Sequence, residues 1–365
     1  MPYTRFDSHH IRVFPLHRRK HLTALVDILI DPDSPPTPMD DYRDAIEKLV
    51  SHIRRARESG ASVMLMYGAH LIRNGMGPTL IRLMEEGWLT HLATNGAGII
   101  HDWEYSFIGQ STESVRENVH DGTFGTWEET GLAINLAFVA GAVENRGLGE
   151  SIGWLIHNDG VMIPQREDLI QRIRENPDDP LTPARADYAQ WLKQAGIAAG
   201  EYKLSHPYKQ YSVLANAFRL GVPFTVHPGI GYDIYSNHPL FAPPAIGRGA
   251  GIDYGVFVQS VLNLSNGALL SVGSAIMAPQ VFEKSMSLAN NFYLQKGRRI
   301  KNHRIAVVDL QDGGGWDWTR GEPPKTNAAY YLRFCKSFCR MGGELMYFCL
   351  DNRAFIHNLY HALRA

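Results

Sequence analysis

The sequence predicts an α/β fold, built on a parallel sheet with helices on both of its faces. Short apolar runs of strand length alternate with helical patterns, and each run ends at glycine and polar residues. The clearest example is the segment 61–102, where a strand, a helix and a second strand form one predicted βαβ unit. The chain of 365 residues, 44% of them hydrophobic, can bury one large core or two smaller ones.

Hydrophobic periodicity and turn residues place the elements along the chain. Residues 1–40 are predicted to form an N-terminal arm and residues 41–365 a single α/β domain, with a helical insertion at about 145–210. The predicted strands are 63–66, 89–93, 222–226, 268–272 and 304–308. The predicted helices are 39–58, 80–87, 101–109, 126–142, 212–221, 253–264 and 281–290, and the tail 330–365 is predicted to be mostly helical.

The composition argues against several classes of protein. The net charge is −1, and there is no basic stripe of the kind that nucleic-acid-binding proteins carry. No apolar run reaches the roughly 18 residues of a membrane helix, and the N-terminal residues lack the apolar region of a signal peptide. The three cysteines favour reduced thiols, so we predict a cytoplasmic protein. No histidines have the spacing of metal ligands, so we predict no metal site.

Glycine and polar residues follow five predicted strands, at 67–70, 94–102, 227–233, 273–275 and 309–315. In a parallel sheet such turns meet at the carboxyl edge, where ligands bind, and the helix N-termini that follow favour anions such as a pyrophosphate. We therefore predict a dinucleotide or a similarly large ligand at this edge. The alternative is a set of ordinary tight turns, because the chain has no GxGxxG, GxxxxGKS/T or GxSxG fingerprint.

Short motifs spread over residues 45–340 resemble deoxyhypusine synthases. One of them is a helix and a strand that lead into a Thr-Asn-Gly-Ala turn and then into a His-Asp pair. The segments that resemble the family, in chain order, are 75–102 with its turn at 94–97 and its pair at 101–102, then 222–234, 270–276 and Asp312-Gly313.

The resemblance implies a Rossmann-like parallel sheet, NAD bound at the strand ends, and a homotetramer. It also implies an amine substrate, because in that family NAD takes a hydride from spermidine and the resulting imine passes its aminobutyl group to a lysine. Together with the strand-end turns, it places NAD against Gly68, His70, Thr94, Asn95, Gly96, Ala97, Asp102, Gly273, Ser274, Asp312 and Gly313.

The residues that would carry the chemistry match the family only in part. The family's Trp-Gly-Lys stretch is absent, and the nearest candidate nucleophile is Lys325, for which the alternative is a surface lysine in a proline-rich loop. Of two acidic residues in the second motif, only Asp233 matches, and Gln280 stands where the family has a histidine. His101 would orient a ribose or relay a proton, whereas its neighbour Asp102 could instead cap a helix. The predicted catalytic residues are therefore Lys325, His101 and Asp233.

A second group of residues is predicted to bind the substrate amine. Aromatic faces and carboxylates together attract a cation, and a dense cluster of both follows the last predicted strand. The alternative is a pair of tryptophans that anchors the loop. The predicted substrate-binding residues are His227, Trp316, Asp317, Trp318 and Glu322.

Three functions remain open on these residues. The first is an NAD-dependent enzyme that removes hydride from an amine or polyamine and transfers an aminoalkyl group. The second is an NAD-dependent amino-acid deaminase or cyclodeaminase-like lyase, and the third is a non-catalytic nucleotide-binding homologue. The expected partners are a small amine and further copies of the chain, with no nucleic acid and no membrane.

Overall fold

The computed structural model describes residues 3–365, and these divide into two compact units. The predicted arm, single domain and insertion stay predictions, although residues 3–27 and 28–40 fall in different units. The first unit contains residues 3–27, 99–218 and 228–253, and the second contains residues 28–98, 219–227 and 254–365.

Ten strands form in the described chain. They are β1 (Thr23–Ala24), β2 (Val63–Tyr67), β3 (His91–Thr94), β4 (Gln110–Ser111), β5 (Gly160–Ile163), β6 (Gly200–Lys203), β7 (Phe224–Val226), β8 (Ala268–Val272), β9 (Arg304–Asp309) and β10 (Glu344–Cys349).

Fifteen α-helices accompany the strands of the described chain. They are α1 (Leu25–Ile28), α2 (Arg43–Glu58), α3 (His70–Arg73), α4 (Gly77–Glu85), α5 (Gly96–Ile108), α6 (Val115–Asp121), α7 (Glu128–Ala142), α8 (Leu148–His157), α9 (Arg166–Glu175), α10 (Thr182–Ala195), α11 (Val213–Leu220), α12 (Pro243–Leu262), α13 (Met277–Leu294), α14 (Arg333–Cys339) and α15 (Asn352–Arg364). None of these helices is long and apolar enough to cross a membrane.

The second unit is built on a six-stranded sheet in the order β10-β9-β8-β2-β3-β7, with every neighbouring pair parallel. Counted along the chain within this sheet, the order is 3-2-1-4-5-6, which is the order of the doubly wound Rossmann fold. The predicted α/β fold with a Rossmann-like parallel sheet is therefore confirmed. All five predicted strands belong to this sheet.

Apolar residues on both faces of the strands explain why the sheet is buried. All five residues of β2 and all five of β8 are buried, as parallel strands covered by helices on both sides require. Met64 and Met66 pack with Phe257 of α12 and Phe282 of α13 in one core cluster. Helices α2 and α15 also pack against strands of this sheet.

One strand lies where the sequence predicted mostly helix. In the tail 330–365, β10 (Glu344–Cys349) pairs in parallel register with β9, and Glu344 is opposite Arg304. The prediction missed it because Glu344, Met346 and Cys349 give this segment no uninterrupted β-branched run. Its strand conformation comes from pairing with a distant segment, which local propensity does not report.

The first unit is mostly helical and contains two antiparallel strand pairs, β1–β4 and β5–β6. Helix α7 is buried on nearly all sides, including Asn135, whose amide donates to the carbonyls of Gly131 and Tyr235. The segment 145–210 contains α8, α9 and α10 and also the pair β5–β6. The predicted helices there are thus present, together with an antiparallel strand pair that the sequence did not predict.

Candidate functional site

The strand order of the second unit reverses between β2 and β8, which are neighbours in the sheet although they are far apart in sequence. The connections leave these two strands in opposite directions, so a crevice opens at their carboxyl ends, and doubly wound folds bind nucleotides there. Gly68 directly follows β2 and Gly273 directly follows β8. The candidate site is therefore defined by this glycine pair.

The two glycines approach each other too closely for a side chain. A Cβ on Gly68 would lie 2.0 Å from the carbonyl oxygen of Gly273. The Gly68 amide donates to the carbonyl of Val272 at 3.0 Å, and the Gly273 amide donates to that of Val308 at 2.9 Å. Gly273 has φ +60°, which an L side chain rarely adopts. The backbone at this point is thus bare because no side chain fits.

Two polar side chains border Gly273. A Cβ on Gly273 would lie 2.4 Å from Nδ2 of Asn352, the first residue of α15. The Asn352 Oδ1 is buried and has no hydrogen-bond partner among residues 3–365, which leaves an acceptor unsatisfied beside the crevice. Ser274 Oγ accepts a hydrogen bond from the Ala278 amide at 3.3 Å in the first turn of α13.

The next strand end, after β3, carries the Thr-Asn-Gly-Ala turn. Thr94 is buried, and its Oγ1 donates to the Tyr67 carbonyl at 3.0 Å, which ties the ends of β2 and β3 together. The Asn95 side chain accepts from the Gly98 amide at 3.0 Å, so Asn95 caps α5, which begins at Gly96. Ala97 lies in the first turn of that helix. These residues lie at the carboxyl edge as predicted.

His70 follows Gly68 and begins the short helix α3. Its side chain is exposed. The position is at the same sheet edge as the glycine pair, so the structure places this predicted contact residue where a bound ligand could reach it.

The loop after β9 contains the predicted aromatic and acidic cluster. The Asp312 carboxylate accepts from the Gly314 amide at 3.1 Å, and the Gly313 carbonyl accepts from Trp318 Nε1 at 3.0 Å. Trp318 is buried, and Asp317 accepts from the amide of Thr319 at 3.1 Å and from its hydroxyl at 2.6 Å. Hence Trp318 anchors the loop, which is the alternative role that the sequence left open.

The remaining predicted residues of this loop also have partners within it or nearby. Trp316 Nε1 donates to the Gly321 carbonyl at 2.8 Å, and the Arg320 guanidinium lies 5.7 Å from the Trp316 ring centroid. Glu322 pairs with Arg340, which lowers the pKa of the carboxyl. The Lys325 side chain is exposed. The face of Trp316 is thus already occupied by one cation of the chain itself.

A buried chain of hydrogen bonds ends at His227, the residue after β7. Ser260 Oγ lies 2.8 Å from His91 Nδ1, and His91 Nε2 lies 2.9 Å from Thr225 Oγ1. Thr225 Oγ1 is in turn 3.3 Å from His227 Nε2. Both imidazoles meet the Phe257 ring edge to face. Four side chains, from β3, β7, the residue after β7 and α12, thus form one polar relay inside an apolar core.

Burial keeps both histidines of this relay neutral. It lowers the pKa of His91 to about 3, with a smaller contribution from His227. It also lowers the pKa of His227 to about 4. A neutral imidazole has one N–H and one lone pair, so His91 donates to one of its two hydroxyl partners and accepts from the other. The sequence missed this group because the residues lie 134 and 169 positions apart from His91.

His101 belongs to the first unit and takes part in a second buried network. Arg19 donates to both Glu104 oxygens at 2.7 and 2.6 Å, and Ser111 Oγ donates to Glu104 at 2.6 Å. His101 Nδ1 lies 2.8 Å from Ser111 Oγ. Because the Ser111 proton is given to the carboxylate, His101 Nδ1 must be the donor in that contact.

Asp102, in the same unit, is 2% exposed and holds the start of α11. Its carboxylate accepts from Ser212 Oγ at 2.5 Å, from the Val213 amide at 2.8 Å and from the Leu214 amide at 3.3 Å. Burial raises the pKa of Asp102 to about 6, although these hydrogen bonds act against the shift. The helix-capping role that the sequence left open is therefore present, at α11 rather than at its own helix.

Asp233 of the first unit is also buried and engaged. Its Oδ2 accepts from the Gly229 amide and from the Tyr235 hydroxyl, both at 2.8 Å. Burial raises the pKa of the Asp233 carboxyl. These contacts fix the turn 229–235, and a catalytic role for Asp233 stays a prediction.

The structure thus brings the predicted cofactor residues of the second unit to one sheet edge, whereas His101, Asp102 and Asp233 belong to the first unit. Sequence reasoning missed Asn352 and the relay residues His91, Thr225 and Ser260. Among residues 3–365 no group of three or more His, Cys, Asp or Glu side chains is arranged to hold a metal ion.

No family model and no curated protein matches the sequence. Solved structures similar to the chain include an AgrE mutant bound to L-arginine, with 14% identity over 90% of this chain and 34% of that one and a TM-score of 0.42. Cyanobacterial ArgZ, an arginine dihydrolase, is 13% identical over 88% and 32% of the two chains, with a TM-score of 0.39. The chain therefore spans about a third of either protein.

A proposed deoxyhypusine synthase from Entamoeba histolytica is also similar to the chain. It is 8% identical over 87% of this chain and 86% of that one, with a TM-score of 0.36. At such identities and TM-scores the likeness says nothing about the activity of this chain, which rests on its own residues.

Proposed function

We propose that the chain is an NAD-dependent enzyme that oxidises a small amine. The observation that supports the proposal most is the pair Gly68 and Gly273 at the reversal point of a 3-2-1-4-5-6 parallel sheet. Bare backbone at this point is what a pyrophosphate-bearing ligand needs in order to approach the strand ends. No side chain can be accommodated on Gly68, so backbone atoms rather than a side chain would face a ligand at this point.

The residues around the glycine pair fit a dinucleotide. Gly68 and Gly273 would lie against the ligand backbone, and the unsatisfied Oδ1 of Asn352 would accept a hydrogen bond from a ligand hydroxyl or amide. Thr94, Asn95 and the start of α5 would border the other side. Bound NAD would supply a hydride acceptor at this edge.

The amine class of the substrate rests on the motif resemblance to deoxyhypusine synthases. An amine that loses hydride from the carbon next to its nitrogen becomes an iminium ion. Attack by a second amine at that carbon expels the original amine and leaves a new imine, which takes the hydride back from NADH, so that the aminoalkyl group is transferred with no net oxidation. Attack by water instead expels the original amine, as ammonia if it is primary, and leaves an aldehyde and NADH. The first outcome is the transferase that we favour, and the second is the deaminase or lyase that is the alternative.

Three residues remain proposed for catalysis, and each has a distinct task to test. His101 is proposed to accept the proton that the substrate ammonium loses before hydride removal. Asp233 is proposed to pair with a substrate cation. Lys325, which is exposed, is proposed as the amine that attacks the iminium carbon in the transferase. We also propose a homotetramer, for which light scattering would give four times the chain mass of 40.9 kDa.

The proposal is tested by mixing the purified chain with NAD+ and one of spermidine, putrescine or ornithine, and following NADH formation. We expect NADH with at least one amine and none without an amine, and the NADH should be transient in a transfer and should accumulate in a deamination. Mass spectrometry of the products then separates the two reactions, because transfer gives a larger secondary amine and deamination gives an aldehyde. Binding of NAD+ without NADH formation from any of these amines would favour the non-catalytic alternative.

Two variants make the test specific to the proposed site. Asn352→Ala removes the unsatisfied acceptor, and we expect it to weaken NAD+ binding about 10-fold. Gly255→Ala, in α12 with nothing within 4 Å of the added Cβ, is the matched control and should bind NAD+ as the wild type does. Equal binding by Asn352→Ala and the control would place the cofactor elsewhere.

A further inference from the structure

A second cleft lies at the opposite, amino edge of the same sheet. It has a volume of about 650 Å³, within the size range of small-molecule sites. Residues that precede three neighbouring strands line it: Asn266 before β8, Asn302 and His303 before β9, and Gly342 before β10. The last turns of α2 complete it, with His52, Arg55 and the following Ser59.

The charges in this cleft are mostly positive. Arg304 and Arg55 line it together with a single carboxylate, that of Glu344. Glu344 is engaged by Arg304, whose Nε and Nη2 both lie 3.1 Å from Oε2. Within residues 3–365, Arg55 has no ion pair or hydrogen bond to its guanidinium. The cleft therefore holds one cation more than it can neutralise.

Two histidines extend this polar lining. His52 Nε2 donates to the Gly267 carbonyl at 2.8 Å, and burial, together with the charges of Arg304 and Arg55, lowers its pKa. His303 is 1% exposed, and burial lowers its pKa to about 4 although a backbone contact with Met341 acts against the shift. Neither of its ring nitrogens has a partner at full hydrogen-bond geometry in the described chain. Burying a polar ring without a partner is costly, so an unpartnered histidine that lines a cleft indicates room for a ligand.

The backbone of the cleft is strained at two neighbouring asparagines. Asn266 has φ +62° and Asn302 has φ +58°, in the left-handed region that non-glycine residues occupy at a cost. Asn302 Nδ2 donates to Asn266 Oδ1 at 3.3 Å, and the Asn266 amide donates to the Lys301 carbonyl at 3.0 Å. The two turns thus hold each other and present amide groups at the rim of a basic cavity.

We infer that this cleft binds a small phosphate-bearing anion, at a site separate from the proposed cofactor site at the carboxyl edge. A phosphate dianion matches the lining because its oxygens are acceptors only, and the cleft offers the donors of Arg55, Asn302 and the ring N–H of His303. The free guanidinium of Arg55 is the main contact, since Arg304 is already shared with Glu344 and with the Lys48 carbonyl.

Isothermal titration with inorganic phosphate, and with methyl phosphate as the simplest phosphomonoester, tests the inference at low salt and pH 7. Free phosphate as the natural ligand predicts at least equal affinity for the inorganic ion, and a phosphomonoester predicts tighter binding of methyl phosphate. In either case we expect one binding event in the wild type and roughly 10-fold weaker binding in Arg55→Gln. Wild-type affinity in Arg55→Gln would overturn the assignment.

Matched variants separate this site from general charge and from the proposed cofactor site. Arg174→Gln removes an exposed arginine from the last turn of α9, as Arg55→Gln does in α2, and should bind phosphate like the wild type. Asn302→Gly keeps the left-handed backbone accessible and should weaken phosphate binding with little change in melting temperature. Asn352→Ala should bind phosphate with wild-type affinity, whether or not its affinity for NAD+ is reduced. If Arg174→Gln and Arg55→Gln weakened phosphate binding equally, the binding would be a non-specific attraction to positive charge, which would contradict a specific site in the cleft.

Discussion

The carbonyl oxygen of Gly273 lies 2.0 Å from the position that a Cβ on Gly68 would occupy. These residues end β8 and β2, the two strands between which the order of the parallel sheet reverses. Because the obstacle is backbone rather than a flexible side chain, the site cannot absorb even a methyl group by a rotamer change. The close spacing of the strand ends thus requires glycine at position 68.

Gly68→Ala is expected to separate the two strand ends and to lower both stability and NAD+ affinity. The added methyl overlaps backbone atoms, so we expect a loss of roughly 2–3 kcal/mol in the free energy of unfolding and NAD+ binding at least about 10-fold weaker. Urea denaturation and calorimetric titration measure the two effects. Gly255→Ala, where the Cβ meets nothing, should be neutral or slightly stabilising. If Gly68→Ala had the stability and NAD+ affinity of the wild type, the two strand ends would have space for a methyl group, which would contradict this account.

Acid is expected to destabilise the chain below pH 6.5, because burial keeps several histidines neutral. The pKa of a histidine in the unfolded chain is about 6.5, whereas burial lowers it to about 3 or 4 in the fold. Between these values the unfolded state binds more protons, so stability falls as pH falls, by on the order of 2 kcal/mol per histidine between pH 7 and 5. The histidines concerned are His91, His206, His227, His238 and His303.

Asp102 acts in the opposite direction, and a variant isolates the histidine contribution. Burial raises its pKa to about 6, so the folded state takes up this proton first and gains stability as pH falls. The stability gained by protonating this one carboxyl is smaller than the stability lost through the five buried histidines. His91→Phe should cost about 2 kcal/mol at pH 7 through lost hydrogen bonds but should show a shallower decline towards pH 5. The exposed His120→Gln is the control, and an unchanged slope in His91→Phe would contradict a neutral buried His91.

Glu104→Gln is expected to be among the most destabilising single changes in the first unit. It leaves the buried guanidinium of Arg19 with only the Glu113 carboxylate, 4.0 Å away, in place of the pair at 2.6 Å, and loss of a buried ion pair costs about 3–5 kcal/mol. Asp40→Asn removes an equally short but exposed ion pair with Arg43 and should cost less than about 1 kcal/mol. Equilibrium unfolding in urea compares them, and equal losses would mean that Arg19 is in fact hydrated.

Lys325→Met is expected to retain NADH formation and to lose only the transfer step. Hydride removal precedes any attack by a lysine, so the two steps respond separately. Borohydride should trap a covalent adduct in the wild type and none in Lys325→Met. Arg299→Met, another exposed cation of the second unit, serves as the control. An adduct of equal yield in Lys325→Met would remove this lysine from the mechanism.

His101→Gln is expected to keep NAD+ affinity and to slow NADH formation about 100-fold, because general base catalysis contributes on this scale. The contact of residue 101 with Ser111 Oγ can be kept by the glutamine amide. Single-turnover NADH formation measured against pH gives the readout, since the variant should lose the limb that reports the base. An unchanged rate and pH profile would assign His101 to structure alone.

The sheet could be predicted because most of its strands have a recognisable local sequence pattern. The runs 63–66 and 268–272 are continuously apolar and end at glycine, and both became fully buried central strands. The strand Glu344–Cys349 could not be predicted, since it depends on pairing with the distant β9. The parallel arrangement of the strands was enough to predict that the turns lie on one edge of the sheet. The reversal between β2 and β8 could not be predicted, because it depends on the order of the strands in the sheet.

The site could be predicted only where its residues sit in the strand-end turns. Gly68, Gly273 and Thr94 were found in this way. Asn352 could not be identified from the sequence. It lies in the tail that was predicted to be mostly helical, and only its contact with Gly273 in the folded chain makes it a candidate site residue. The relay around His91 joins residues more than a hundred positions apart, and no local pattern reports such a contact.

The most direct test of the dinucleotide site is a crystal structure of the chain grown with NAD+. We expect the pyrophosphate to lie beside the backbone of Gly68 and Gly273, with a ligand hydrogen bond to Asn352 Oδ1. Clear density for NAD at another edge of the sheet would contradict the proposed site, as would an empty crevice at NAD+ concentrations that saturate related folds.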